Sequence, residues 1–233
     1  MTASLDTEQL AAVLQLSSPS LPIGGFSYSQ GLEAAVELRL VHGEASAHAW
    51  IEHHLMMVVA RSEAPLWCLL YDAWQAHDEK AVHEWSQWFH ASRETHELRQ
   101  ETEQMGLSLA KLSKELSWAD AEAGLALGLV KPLTLPCVHA FLCAAWRLPR
   151  TIGLGAYLFA WLENQVTSAV KSVPIGQVAG QRILTHLRRR LPEVVDAALE
   201  RAAARPPRLD TFAPQFAIIS SRHESQFSRL FRS

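Results

Sequence analysis

The sequence predicts an all-α protein, a single-domain helical bundle of roughly nine or ten helices with a C-terminal tail. Apolar residues recur every three or four positions along most of the chain, the spacing of the buried face of an amphipathic helix. No segment alternates apolar and polar residues with a period of two for long enough to indicate a strand. Prolines and short polar residues stand where helices would begin. Together these observations favour a bundle with short connections.

The apolar stripes mark the helices of the first half of the chain. Within a stripe, the spacing brings the side chains onto one helix face. In chain order the stripes are Leu10, Val13 and Leu14; Trp50, Ile51, Leu55, Val58 and Val59; Val82, Trp85, Trp88 and Phe89; and Leu98, Met105, Leu109, Leu112 and Leu116.

Helix start signals agree with these stripes. Ser27 and Gln30 form a capping-box pattern, and Asp78 is placed to cap the helix that follows it. A proline at the first helical position loses no hydrogen bond, because that backbone N–H has no partner within the helix. Four prolines fit that position: Pro65, Pro136, Pro174 and Pro192.

The most apolar helices are predicted over about residues 120–147 and 152–172 and are expected to form the centre of the bundle. Lys131, Pro132 and His139 interrupt the first of them, so it is interpreted as core and not as a membrane span, which needs about 20 predominantly apolar residues. Cys137 and Cys143 in this segment are predicted to be buried thiols. No fixed-period repeat is present, which argues against a solenoid.

Charge divides the chain into two parts. From Arg182 onward there are ten arginines and five acidic residues, a net charge of +5, so residues 1–181 carry −8. We predict a helical domain over residues 1–205 and a C-terminal partner-binding tail over 206–233 that is flexible when unbound. The tail combines aromatic and arginine residues, which suits contact with a partner.

Composition excludes several classes of protein. With 48% apolar and 19% charged residues the chain is not expected to be disordered, and a net charge of −3 argues against binding to nucleic acid or to a membrane. Three cysteines without CxxC spacing indicate a reducing compartment. The N-terminus shows no signal-peptide pattern, so we expect a cytoplasmic protein.

Eleven histidines raise the question of a metal site. His83, His90 and His96 are seven and six residues apart, too far for one ion on a single helix, and the adjacent His53 and His54 point in different directions. We therefore interpret these histidines, together with His42, His48 and His77, as surface or boundary residues and assign no metal site.

Catalytic signatures are also missing from the sequence. The Gly153-Leu154-Gly155 segment lacks the third glycine of a dinucleotide fingerprint, and GxxxxGK[ST] does not occur. Ser27 has no GxSxG context and is interpreted as a helix cap. A hydrolase that uses Ser27 or Cys68 remains a hypothesis supported only by the presence of those residues.

Three segments are unusual in composition. The first motif, SPSLPIGGFSYSQGLE, covers residues 18–33; the second, AVKSVPIGQVAGQR, covers 169–182; and the third, RHESQFSRLFRS, covers 222–233. In the second motif, Gly176 and Gly180 would let another backbone approach, although close packing alone would explain them. In the third, Phe227, Leu230 and Phe231 would share one helical stripe.

These three motifs, in this order, closely resemble the UreF family of urease accessory proteins. The resemblance covers essentially the whole chain and implies a cytoplasmic, homodimeric, all-α protein without enzymatic activity. Members of the family bind the accessory protein UreD, called UreH in some organisms, and the pair recruits the GTPase UreG to deliver nickel to the urease apoprotein. No cofactor is expected, since the assembled complex handles the nickel.

The resemblance places Arg229 in the partner-binding tail and Lys171 in a segment implicated in contact with UreG. Exposed basic and amide side chains and aromatic anchors complete the expected binding set. The predicted partner-binding residues are Lys171, Gln177, Gln181, Arg182, Arg222, His223, Glu224, Phe227, Arg229, Leu230, Phe231 and Arg232. The alternative hypothesis is a metallochaperone that carries nickel directly on its own histidines, such as His83 and His90.

Overall fold

A computed structural model describes residues 5–211, 213–222 and 230–232, and these residues form helices and turns with no strand among them. The predicted all-α class is confirmed. Ten of the twelve α-helices in this part of the chain have nine residues or more. They are α1 (Thr7–Leu16), α2 (Leu32–Glu37), α3 (Glu44–His54), α4 (Ala64–Gln75), α5 (Glu79–Ser92), α6 (His96–Glu115), α7 (Ala121–Leu129), α8 (Leu135–Ala145), α9 (Arg150–Ser172), α10 (Gln177–Leu187), α11 (Leu191–Ala203) and α12 (Pro214–Ser221).

The centre of the bundle is built from α4, α8 and α9. Helix α4 packs against α8, α11 and α5, and α8 packs in turn against α6. Trp67, Leu142 and Leu158 are fully buried where these helices meet. Gly153 permits this approach, because a Cβ at this position would lie 2.9 Å from the Trp67 ring.

A π-helical segment, Leu55–Glu63, joins α3 to α4, so that residues 44–75 are continuously helical. Such segments are rare and often occur at functional sites, because the extra residue in each turn redirects the side chains. Here the segment ends at the buried Glu63.

The expectation of one central helix over residues 120–147 is wrong in part. Pro132 and Pro136 cannot continue a helix, and the segment divides into α7 and α8. Helix α8 is buried, whereas α7 lies at the periphery with Leu125 and Leu129 more than 70% exposed. The expectation for residues 152–172 is confirmed by α9, the longest helix.

Most of the helix start signals are confirmed. The Asp78 carboxylate accepts the N–H of Ala81, and Pro136 and Pro192 lie in the first turns of their helices. Pro65 lies in the first turn of α4, where the π-helical segment passes directly into that helix. Pro174 does not begin a helix, because it lies in the turn between α9 and α10.

The role of Ser27 as a helix cap is wrong. Residues 25–27 form a separate 3₁₀ turn, and α2 begins at Leu32 with Gly31 as its N-cap. The hydroxyl of Ser29, not that of Ser27, accepts an N–H of this helix, that of Glu33.

The prediction of buried thiols is confirmed for Cys137 and Cys143. Burial raises the pKa of Cys137 to about 12 and that of Cys143 further. Cys68 is also fully buried with a pKa of about 12, which disfavours the thiolate that a nucleophile would require. Within the described ranges, no helix is long and apolar enough to cross a membrane.

Candidate protein-binding surface

The first motif folds into a tight loop ahead of α2. Gly24 and Gly31 both have φ of 81°, a left-handed conformation in which a side chain would be strained. Gln30 also has positive φ, and its amide is held from two sides: it donates to Glu101 of α6 at 2.8 Å and accepts the indole N–H of Trp161 of α9 at 2.8 Å. These bonds fix the loop to the bundle.

A cavity of about 130 Å³ lies beneath this loop. Its wall is apolar at Leu21, Met105 and Leu109 and acidic at Glu63 and Glu101. Tyr157 donates a hydrogen bond to Glu63, and Arg93 donates to the other carboxylate oxygen at 3.3 Å. Burial and the charge of Glu63 hold the pKa of Tyr157 well above its usual value, so the phenol remains protonated as the donor.

The C-terminal residues return to the first motif. The carboxylate of Glu33 accepts the backbone N–H of Leu230 at 2.7 Å and that of Phe231 at 3.1 Å. One residue further, the N–H of Arg232 donates to the carbonyl oxygen of Ser27 at 2.7 Å. Three consecutive backbone donors are therefore bound by groups of the first motif.

Side chains extend this contact. Phe231 is 5% exposed, whereas Leu230 is 71% exposed and points away from the body. These two residues lie in a bend, so the predicted helical stripe is not formed at these positions, because their N–H groups bind Glu33 instead of a preceding helical carbonyl. The Arg232 guanidinium lies 3.5 Å from Oε1 of Gln104, the atom that also accepts the Tyr28 hydroxyl.

Lys171 of the second motif lies close to aromatic residues of the first and third motifs. Its ammonium lies 5.8 Å from the centres of both the Phe26 and the Phe231 rings, within the range of a cation–π contact. Phe26 is 62% exposed although it is large and apolar. Residues of all three motifs thus meet at one surface, which we call the motif surface: Phe26, Ser27, Glu33, Lys171, Leu230, Phe231 and Arg232.

The predicted binding residues of the second motif on α10 are exposed. Gln177, Gln181 and Arg182 are all accessible. Arg182 is bound by a bidentate ion pair with Glu44 of α3, at 2.8 and 2.7 Å. This pairing lowers the pKa of Glu44 and raises that of Arg182.

The two glycines of the second motif differ in their packing. A Cβ on Gly180 would lie 2.6 Å from Cγ2 of Val170, so this glycine permits the close approach of α9 and α10. Gly176 has no atom within 4 Å of such a position and serves as the N-cap of α10. Close packing therefore explains only one of them.

The remaining predicted residues have different positions. Arg222 follows α12 and is exposed. His223, Glu224, Phe227 and Arg229 lie outside the described residues.

Of the eight histidines predicted to lie at the surface or its boundary, only His54 is buried, and His139 of α8 is buried as well. His54 is 5% exposed and lies between the rings of Trp161 and Phe216. His83 and His90 contact separate residues, Gln87 and Glu103. Among the described residues, no group of three or more His, Cys, Asp or Glu could hold a metal ion.

Sequence reasoning did not identify Phe26, Glu33 or Gln104 as members of this region. Phe26 carried a signal, since an aromatic residue directly after two glycines in a loop has few neighbours to bury it. Glu33 carried none, because an acidic residue in the first turn of a helix is ordinarily explained by the helix dipole.

The fold and the motif surface define a helical protein that presents ordered polypeptide, a cation and exposed apolar groups, the composition of a protein-binding site. The UreF family model matches residues 41–188. The bifunctional urease accessory protein UreEF of Bordetella bronchiseptica is 67% identical over all 233 residues, and the chain spans 54% of that relative.

Two relatives of similar length are the urease accessory proteins UreF of Bordetella parapertussis and Cupriavidus pinatubonensis. The first is 66% identical over 94% of this chain and 100% of its own length, and the second is 53% identical over 97% and 98%. The chain belongs to the UreF family of urease accessory proteins. It is therefore an accessory chaperone-type protein involved in urease maturation and not an enzyme, as the sequence predicted.

Proposed function

We propose that the chain is a scaffold for urease maturation that binds UreD/UreH through its C-terminal tail and recruits or regulates the GTPase UreG through the second motif. The assembly would deliver nickel to the urease apoprotein, with nickel as cargo of the complex and no cofactor on this chain. We further propose that it acts as a homodimer in the cytoplasm.

The observation that carries the proposal is the motif surface itself. The ammonium of Lys171, the proposed UreG contact, lies 5.8 Å from the ring centre of Phe26 in the first motif and 5.8 Å from that of Phe231 in the tail. Binding of one partner to the tail would therefore change the surroundings of Lys171, which supports ordered recruitment of the second partner.

The exposure of each side chain separates residues of the motif surface that anchor the tail from residues that can contact a partner protein. Phe231 is buried and its N–H is bound, so it anchors the tail to the body. Phe26 and Leu230 are exposed apolar side chains, and Phe26 lies beside the Lys171 cation. Exposed apolar groups of this size mark surfaces that a partner protein covers.

Size-exclusion chromatography of the full chain with UreD alone, and then with UreD and UreG, tests this proposal. We expect a chain ending at Ser221 to lose UreD and therefore UreG. Phe26→Ala and Lys171→Ala should keep UreD and weaken UreG. Lys80→Ala, a fully accessible lysine on α5, is the control and should assemble normally. Full assembly by the truncated chain would contradict the role of the tail.

Arg182 requires a separate experiment, because its guanidinium is bound by Glu44. If Arg182 acts in GTP hydrolysis, Arg182→Ala should slow hydrolysis in the assembled complex, while Glu44→Gln releases the guanidinium and preserves the rate. If the pair only joins α3 to α10, both variants should have the same effect. Circular dichroism checks that each variant is folded.

A further inference from the structure

The groove between the beginning of α3 and the end of α10 places two histidines opposite each other. His48 follows Glu44 by one turn of α3, and His186 follows Arg182 by one turn of α10. The bidentate Arg182–Glu44 ion pair joins the two helices one turn away and so sets the distance between the imidazoles. Their ring centres are 6.0 Å apart, with an angle of 77° between the ring planes.

This separation is close to that of two imidazoles on one metal ion. With a metal–nitrogen distance of about 2.0–2.1 Å, each ring centre lies about 3 Å from the ion, and two rings at a tetrahedral angle have centres about 5 Å apart. Side-chain rotation alone can close the remaining difference of about 1 Å. The groove has a volume of about 430 Å³ and is open to solvent, so water can reach an ion between the rings.

Glu52, one turn after His48 on α3, is placed to become the outer hydrogen-bond partner that metal-binding histidines usually have. Its Oε2 lies 3.8 Å from Nδ1 of His48, and Arg190 lies 3.5 Å from its Oε1. At 3.8 Å the carboxylate and the imidazole do not yet share a hydrogen bond. Rotation of the Glu52 side chain would bring the carboxylate to Nδ1–H, which would leave the lone pair of Nε2 available to a metal ion. Glu52, the His48 imidazole and the open groove therefore lie in the arrangement of a metal site, in which a carboxylate stands behind the histidine that faces the ion.

We propose that His48 and His186 form a two-histidine site for a divalent transition metal of the imidazole-preferring class, such as Zn²⁺ or Ni²⁺. Water completes the coordination, because Glu44, the carboxylate that also lines the groove, is held through both oxygens by Arg182. In the part of the chain that the structure describes, no group of three or more His, Cys, Asp or Glu could hold a metal ion. With two protein ligands the site exchanges its ion and is not a structural metal centre. It is separate from the nickel-carrier hypothesis on His83 and His90 and independent of the proposed scaffold function.

Isothermal titration calorimetry of the untagged full chain with Zn²⁺ and with Ni²⁺ tests the site, and Mg²⁺, which prefers oxygen ligands, should give no binding. His48→Ala and His186→Ala should each weaken binding at least about tenfold, and the double variant should remove the site. Glu52→Gln should weaken binding about tenfold by loss of the outer contact. His83→Ala, a histidine on α5, is the matched control and should bind as the parent chain does.

A second measurement reads the histidines directly in the unaltered chain. Substoichiometric Zn²⁺ should shift the imidazole NMR signals of His48 and His186 before those of His83 or His90. Equal shifts of all accessible histidines, or an unchanged isotherm in the double variant, would overturn the site and show that the two rings only pack edge to face.

Discussion

The carboxylate of Glu33 accepts the backbone N–H of Phe231, 198 residues further along the chain, at 3.1 Å. The same carboxylate binds the N–H of Leu230 with its other oxygen. Because Glu33 is only 8% exposed, water competes weakly for these bonds. One side chain of α2 therefore binds two consecutive backbone donors of the C-terminal residues and contributes to holding them against the body.

Glu33→Ala should release the C-terminal residues while the bundle stays folded. Hydrogen bonds to a charged group contribute about 1.5–3 kcal/mol each, so the docked state should become at least about tenfold less populated. Hydrogen exchange at Leu230 and Phe231 measures this population. Glu8→Ala on the accessible face of α1 is the control, and equal protection in the two variants would contradict the role of Glu33.

Gly180→Ala should destabilise the protein by about 1–3 kcal/mol, because the added Cβ would lie 2.6 Å from Cγ2 of Val170, a stiff β-branched side chain. Gly124→Ala on α7 is the matched control. A Cβ there meets no atom within 4 Å, so the higher helix propensity of alanine should stabilise the chain by up to about 1 kcal/mol. Urea unfolding measures both variants, and equal effects would show that α9 and α10 adjust freely.

Tyr157→Phe should lower the free energy of unfolding by about 1.5–3 kcal/mol. It removes the donor to Glu63 and leaves a buried carboxylate oxygen without that partner. Tyr71→Phe is the control, because its hydroxyl donates to the neutral carbonyl of Leu148 and its loss should be about 1 kcal/mol. Thermal unfolding compares the two, and a smaller effect at Tyr157 would contradict a buried charged acceptor.

Stability should fall as the pH falls below about 6.5. Burial lowers the pKa of His54 and of His139 to about 3, whereas an unfolded histidine titrates near 6.5. Between these values the unfolded chain binds protons that the folded chain does not, so acid favours unfolding. From pH 7.5 to 5.5 each histidine should reduce the free energy of unfolding by about 1.4 kcal/mol.

The variant His54→Phe separates the contribution of His54 to the pH dependence of stability from the contributions of other titratable groups. Phenylalanine suits the space between Trp161 and Phe216 and does not titrate. The variant should lose about 1.4 kcal/mol less than the parent chain between the two pH values, measured by urea unfolding. His42→Gln, at an accessible position, should keep the parental dependence. An unchanged dependence in His54→Phe would show that His54 is protonated in the folded chain.

Prediction from sequence succeeded where the signal is local. Asp78 caps α5 through a residue three positions away, and the apolar stripes repeat within single helices. It failed where the local structure depends on contacts with a distant part of the chain. The Ser27–Gln30 pattern is a valid capping box by spacing, yet the left-handed residues at Gln30 and Gly31 delay the helix to Leu32, and Trp161 and Glu101 hold the Gln30 side chain.

Helix α7 illustrates the same limit. Its residues are as apolar as those of α8, so composition placed both at the centre. Pro132 lies in the connection between them and Pro136 in the first turn of α8, and only Leu127 of α7 is buried.

The sequence by itself determined the helical class, the family and the three motifs, because periodicity and motif identity are properties of neighbouring residues. Only the tertiary structure decided that Glu33 binds the C-terminal backbone, that Lys171 lies between Phe26 and Phe231, and that Arg182 is paired with Glu44. These contacts join residues more than 50 positions apart. Which residues meet depends on how α2, α3, α9 and α10 pack, and this packing cannot be read from a local sequence pattern.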